Sequence, residues 1–132
     1  MGSRELLEES LGAVAEADLD IVPRFFERFF EAHPEQRASF YNPRVTQGAM
    51  VNEMLDYLLA LGVGETWVPH SVDSTVLAHH SYGNIPPETF DDAVDLLIET
   101  LAETAGDLWK PEYGAAWAVQ ADRMKAMIRH AC

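Results

Sequence analysis

Two adjacent histidines, His79 and His80, give the sequence its clearest capacity for chemistry. Histidine is the commonest metal ligand among side chains, because a neutral imidazole offers a ring nitrogen with a lone pair. The pair ends a helical stretch, and a break at Gly83-Asn84 follows it. An imidazole in that position can lean out of the helix toward a flat partner. A histidine on an apolar helical face is nevertheless more often a core residue than a ligand, so the pair by itself permits both interpretations.

The usual enzyme motifs do not occur in this chain. There is no G-x-S-x-G, no nucleotide-binding glycine fingerprint, no C-x-x-C and no H-E-x-x-H. The acidic residues are too numerous to single out a pair for acid–base catalysis. The single cysteine, Cys132, has no intrachain partner for a disulfide, which favours a reducing compartment. The histidines are therefore the candidates for a chemical role.

Composition narrows the class of protein and its partners. The chain has 132 residues, of which 48% are hydrophobic, so one domain over residues 1–132 with a sizeable core is expected. The formal net charge is −13, which would repel phosphate backbones and anionic lipid. Neither nucleic acid nor a membrane is expected as a partner. Without a secretory signal or a run of apolar residues long enough to span a bilayer, a cytoplasmic location is expected.

The elements that would position the histidines are all helical. Apolar residues recur at helical spacing, and no stretch alternates as a strand does. We predict an all-α domain of about six to eight helices. The second helix, capped by Asp18 or Asp20, carries four phenylalanines and should be buried on two sides.

The later helices are predicted from caps and breakers. Thr46 would cap a helix over residues 47–61, and residues 67–70 would form a loop. Asp73 or Ser74 would cap a short helix that ends at the histidine pair. The remaining two helices would follow the prolines, over residues 88–105 and from Pro111 onward.

Three groups of motifs, in this order, make the chain resemble the bacterial globins. These relatives are the single-domain haemoglobins and the globin domain of flavohaemoglobins, and the resemblance extends from about Leu6 to Ile128. The motifs are Val22-Pro23-Arg24-Phe25-Phe26-Glu27-Arg28-Phe29-Phe30 with His33-Pro34-Glu35 and Phe40; Leu77-Ala78-His79-His80 with Ile85 and Pro87-Glu88-Thr89-Phe90; and Leu97-Ile98-Glu99-Thr100-Leu101 with Trp109-Lys110-Pro111-Glu112 and Ala116-Trp117.

The resemblance implies a globin fold that encloses haem b, with His80 as the proximal iron ligand. Ile85 and Pro87 follow His80 at the family's spacing, whereas His79 would point about 100° round the helix. Phe40 matches the phenylalanine that packs flat on the porphyrin. Further residues would line the haem, although each could equally be helix–helix core: Val51, Val76, Leu77, Ile85, Phe90, Val94 and Leu97.

The ligand side departs from the family pattern. Phe26 stands where many relatives have a tyrosine that hydrogen-bonds bound oxygen, and Gln47 matches a common distal glutamine. Together with Val51 they would form the distal pocket, but a shift of register would place Met50 or Val51 over the iron instead. With one donor fewer, bound oxygen should be held less tightly by about 1–3 kcal/mol. We therefore expect fast oxygen release.

These features favour reversible binding of a diatomic gas (O₂, CO or NO), for oxygen transport or gas sensing. The alternative is a nitric oxide dioxygenase or a peroxidase-like enzyme served by an external reductase. Ala121 disfavours it, because flavohaemoglobins carry a tyrosine at that position of the last helix. A haem-free globin-fold interaction module is a further alternative. His33 and His70 look badly placed to act as a sixth iron ligand.

Overall fold

The computed structural model describes residues 2–17, 19–39, 43–79 and 85–131. Over these residues the chain is helical and has no strand, which confirms the all-α prediction. The six α-helices of this part of the chain are α1 (Ser3–Glu16), α2 (Ile21–Ala32), α3 (Pro43–Gly62), α4 (Val68–His79), α5 (Pro87–Ala105) and α6 (Pro111–Ala131). Short 3₁₀ helices cover Pro34–Ser39 and Gly106–Leu108.

Several helix ends lie where the local sequence predicts them. The Asp20 carboxylate accepts a hydrogen bond from the backbone N–H of Val22 at 3.0 Å and so caps α2, while Asp18 lies outside the described residues. Gly106, at a φ of 58°, ends α5. Glycine suits that position because a positive φ strains residues that carry a Cβ.

Two helices begin earlier than predicted. The start predicted at Gln47 was wrong, because α3 begins at Pro43. The loop predicted over residues 67–70 was also largely wrong, because α4 begins at Val68 and includes Pro69. A proline in the first turn costs a helix little, since its missing N–H would have no partner inside the helix there. Both prolines therefore open helices instead of preceding them.

A tightly packed frame is built from α1, α2, α5 and α6. Trp117 of α6 is fully buried, and its indole N–H donates to the Ser10 hydroxyl of α1 at 2.8 Å. On α2, Phe25 and Phe29 are buried and stacked at 5.9 Å between ring centroids. Ion pairs then tie α2 to α5, among them Arg24 to Glu103 at 3.4 Å.

The end of α3 is anchored to this frame. The Arg123 guanidinium of α6 donates to the Leu61 carbonyl at 3.0 Å. A Cβ at Gly62 would overlap the end of the Leu7 side chain of α1, so glycine allows this close approach without moving Leu7. A turn through Gly64, at a φ of 82°, then leads the chain toward α4. As a result, α3 and α4 are neighbours joined near one end, with a cavity between them.

No helix in the described part of the chain combines the length and the apolar character needed to cross a membrane.

Candidate functional site

The largest cavity described has a volume of about 620 Å³ and lies between α3 and α4. The face of α3 that borders it follows a helical spacing of three and four residues. The residues of this face are Thr46, Ala49, Met50, Glu53 and Tyr57. The opposite wall, on α4, is built mainly from small side chains and ends in a histidine; it consists of Ser71, Ser74, Thr75, Ala78 and His79.

Other elements close the remaining sides of the cavity. From α5, Phe90 and Ala93 contribute apolar surface, and Phe29 reaches the cavity from α2. Ile85, Gln36 and Thr89 complete the lining. The cavity is therefore largely apolar, with most of its polar groups on the facing sides of α3 and α4.

The orientation of the His79 ring is held by its own helix. Its Nδ1 lies 2.7 Å from the carbonyl oxygen of Thr75, one turn earlier. A carbonyl oxygen can only accept, so Nδ1 carries the proton, and in the neutral ring the lone pair is on Nε2. The edge of Phe90 contacts the imidazole at 5.5 Å between ring centroids. Metal-binding histidines commonly have one nitrogen fixed by a carbonyl in this way.

A polar cluster joins the two helices within the cavity lining. Tyr57 donates to the Glu53 carboxylate at 2.7 Å and lies 2.6 Å from the Thr75 hydroxyl. Thr75 in turn donates to the same carboxylate oxygen at 2.7 Å. Burial raises the pKa of the Tyr57 phenol above its ordinary value, and the hydrogen bond to Glu53 raises it further. Tyr57 therefore stays neutral and keeps its proton at physiological pH.

Some residues predicted to line a haem lie around this cavity. Ile85 and Phe90 are part of its lining. Val76 and Val94 border a smaller neighbouring cavity of about 60 Å³, which also touches Met50 and His79.

Other predicted residues lie elsewhere. Leu77 of α4 is 69% exposed, and Leu97 is fully buried in the core. Neither is among the residues that border the two cavities.

The predicted distal residues also lie outside the lining of the large cavity. Gln47 is partly buried, whereas its neighbours Thr46 and Met50 border the cavity. Val51 and Phe26 are buried in the core. Of the alternatives left open by the sequence, Met50 is the one whose side chain α3 turns toward the cavity.

The two residues on which the resemblance depends most, His80 and Phe40, lie outside the described residues. The other histidines predicted to be badly placed are indeed away from the cavity lining. His33 makes a contact of 2.8 Å with Asp92, and His70 is exposed. Ala121 is buried in the core between α6 and its neighbours.

Several lining residues were missed from the sequence, namely Phe29, Glu53, Tyr57 and Thr75. The signal for the α3 residues was the helical spacing that connects Met50, Glu53 and Tyr57. For Thr75 it was a position four residues before His79, where its carbonyl is in reach of a histidine side chain.

Among the described residues, no three His, Cys, Asp or Glu side chains converge as they would around a bare metal ion. No protein-family model matches the chain, and no solved structure matches it. The functional assignment therefore depends on the resemblance and on the geometry of the cavity.

Proposed function

We propose that this protein is a haem-binding globin that reversibly binds a diatomic gas. The observation that supports it best is a cavity of about 620 Å³ whose wall carries His79, with the ring held by the Thr75 carbonyl. The cavity lies between two neighbouring helices, and His79 is the last residue of one of them. The resemblance to bacterial globins implies that haem b binds beside the histidine pair, and we propose that this cavity holds it.

The lining residues fit such a group in size and chemistry. Pockets that bind cofactors commonly have volumes of roughly 300–1,000 Å³ and mostly apolar walls. A flat macrocycle needs short side chains on the helix that it approaches, and Ser71, Ser74 and Ala78 provide them on α4. Because the macrocycle holds its iron equatorially, one imidazole is a sufficient protein ligand. Haem therefore does not require a cluster of several metal-binding side chains, and the described residues form none.

The axial ligand would come from the histidine pair. His80 remains the ligand predicted from the spacing to Ile85 and Pro87. His79 is the alternative that the cavity supports, because its ring is part of the lining and its Nδ1 is committed to Thr75. Bound haem would supply an iron that can bind a diatomic gas.

The side chains that line the cavity would set the preference among gases. Met50 borders the cavity, and its thioether cannot donate a hydrogen bond. Bound oxygen is polarised and gains more from a donor than CO does. Because Met50 lines the cavity and Gln47 does not, no hydrogen-bond donor from these two residues would stabilise bound oxygen, and we expect it to be held weakly. We therefore expect the oxygen off-rate to be faster than in globins that have a distal tyrosine.

Absorption spectra of the purified protein test the proposal. Spectra would be recorded as isolated, after reduction, and after reduction with CO, with haem supplied if needed. A Soret band that shifts with CO is the expected result. A protein that takes up no haem would contradict the proposal and leave a haem-free interaction module.

Histidine variants then identify the ligand. His79→Ala and His80→Ala would be compared with His70→Ala, which removes an exposed histidine from the same helix. Only the ligand variant should lose or alter the Soret band, while His70→Ala should match the parent. Unchanged spectra in both members of the pair would exclude the proposed ligation.

A further inference from the structure

Three close oxygen–oxygen contacts connect α3 to α4 beside the cavity. They join the Tyr57 hydroxyl, the Thr75 hydroxyl and one carboxylate oxygen of Glu53, with separations of 2.6–2.7 Å. The two hydroxyls supply two protons, so the Thr75 hydroxyl donates to Glu53 and the Tyr57 hydroxyl donates to Glu53 or to Thr75. Tyr57 also approaches the Ser71 carbonyl, at 3.4 Å. We call Glu53, Tyr57 and Thr75 the α3–α4 clasp.

The clasp lies in a setting that strengthens it. The Tyr57 side chain is only 8% exposed, and the edge of Trp67 packs on its ring at 6.0 Å between centroids. Hydrogen bonds to an ionised carboxylate are stronger than those between neutral groups. A phenol with an ordinary pKa of about 10 already keeps its proton at neutral pH, and burial raises the pKa of Tyr57 further. Tyr57 attaches α3 to α4 through its contacts with the Thr75 hydroxyl at 2.6 Å and the Ser71 carbonyl at 3.4 Å.

Thr75 links the clasp to the imidazole. Its hydroxyl belongs to the clasp, and its backbone carbonyl accepts the Nδ1 proton of His79 at 2.7 Å. The same residue is thus held by α3 through its side chain and holds His79 through its main chain. Moving Thr75 relative to α3 would move the carbonyl that orients the ring.

We propose that Tyr57 is a positioning residue, which acts through Thr75 to fix the orientation of the His79 imidazole in the cavity. Tyr57 itself is not part of the contact with the ring. Its role is to hold α4 against α3, so that the Thr75 carbonyl and the ring that it orients keep a fixed position in the cavity. The effect on iron rests on the proposed function, whereas the effect on the ring does not.

The test uses Tyr57→Phe, which removes only the phenol oxygen, and Thr75→Val, which removes the hydroxyl but keeps the backbone carbonyl. Thr100→Val is the matched control, because Thr100 is a buried threonine of α5 that bonds its own helix at Leu96. The first readout is nitrogen NMR of the His79 ring in the haem-free protein. We expect solvent exchange of the Nδ1 proton to be about tenfold faster in both clasp variants, the loss typical of one hydrogen bond.

A general loss of stability has to be distinguished from this local effect. Exchange of the backbone amide of Leu101, in the packed core, serves that purpose. The proposal expects its rate to stay at the parent value in Tyr57→Phe. Equal acceleration at Leu101 and His79 would overturn the proposal, as would unchanged exchange of the His79 proton.

The haem-loaded protein provides a second readout. When the histidine variants identify His79 as the ligand, Tyr57→Phe should shift or broaden the iron–imidazole stretching band of the reduced protein, and Thr100→Val should leave it unchanged. If the parent takes up no haem, the proposed function fails while the NMR comparison still decides the role of Tyr57. If haem binds but Tyr57→Phe does not change the exchange rate of the His79 Nδ1 proton, the positioning role of Tyr57 is wrong and the proposed function still stands.

Discussion

The region around Trp117 and the region between α3 and α4 use buried space in opposite ways. In the first, α1, α5 and α6 bring fully buried side chains together, and the hydroxyl of the buried Ser10 accepts a hydrogen bond from the Trp117 indole. In the second, α4 turns serines, an alanine and a histidine toward α3, and a cavity of about 620 Å³ remains between them. Large apolar side chains fill the first region, and small or polar ones leave the second open.

The difference indicates how stability and binding are divided. Burying apolar surface contributes about 25 cal/mol per Å², so the packed region must supply most of the folding free energy. The region around the cavity buries less apolar surface, and its helices are joined by hydrogen bonds such as those of the α3–α4 clasp. Anchoring of α3 by Gly62 and Arg123 allows the cavity to stay open, because the rigid frame carries one of its walls.

The largest effect should come from deleting a core side chain in the packed region. Leu101 is fully buried on α5, so Leu101→Ala removes contacts on every side and leaves a void. We expect the free energy of unfolding to fall by about 2–5 kcal/mol. Urea unfolding followed by circular dichroism would measure it. A loss below about 1 kcal/mol would mean that this region relaxes as easily as the cavity side.

A smaller loss should follow from adding one methyl group where α1 crosses α3. Gly62→Ala gains helix propensity of about 1 kcal/mol but forces Leu7 to move, and overpacking typically costs about 1–3 kcal/mol. We expect a net destabilisation in urea unfolding.

Gly12 provides the control for that substitution, because a Cβ there meets nothing within 4 Å. Gly12→Ala should stabilise the protein by about 0.5–1 kcal/mol. In a Leu7→Ala background the penalty at Gly62 should disappear. A stabilising Gly62→Ala in the parent would show that the crossing is loose.

Truncation at the cavity wall should cost less than truncation in the frame. Met50 already borders empty space, so Met50→Ala gives up few contacts, and we expect a loss of about 1 kcal/mol or less. Met124 is 5% exposed and borders only the smaller cavity of about 60 Å³, so it provides the better packed methionine, for which we expect about 2 kcal/mol or more. Equal losses in parallel urea unfolding curves would contradict the division between the two regions.

The smallest effect concerns pH and the clasp. The pKa of Tyr57 is raised in the folded state, so above the ordinary value of about 10 the unfolded chain releases this proton first. Its contribution to stability is complete below pH 10 and is lost as pH rises toward the folded-state pKa. Urea unfolding between pH 9 and 11.5 should show a decline that is shallower in Tyr57→Phe. Identical slopes in the two proteins would rule out a contribution from Tyr57.

Much of the fold could be predicted from local patterns. The helical class, the Asp20 cap and the Gly106 stop follow from the chemistry of single residues and their immediate neighbours. The starts of α3 and α4 could not be predicted in this way, because a proline is compatible both with a turn and with the first turn of a helix. Which of the two forms depends on what the following residues pack against.

For the candidate site, too, some residues could be predicted from the local sequence and others could not. His79 and the apolar positions Ile85 and Phe90, which line the cavity, could be identified from residue type and spacing. Gln47 and Met50 could not be ranked, because the sequence gives the angle between two side chains on a helix but not the rotation of that helix in the molecule. Contacts at the end of α3, at Gly62 and Arg123, set that rotation and turn Met50 toward the cavity.

The sequence by itself determined which segments are helical, where several of them stop, and that His79 would lie at the end of one of them. These properties depend on backbone chemistry within a few residues. Only the tertiary structure decided that Glu53, Tyr57 and Thr75 meet, and that Thr75 also holds His79. Tyr57 and Thr75 are 18 positions apart in the sequence, and Glu53 and Thr75 are 22 positions apart. These pairs become neighbours only when α3 and α4 lie side by side, and packing throughout the molecule decides that placement.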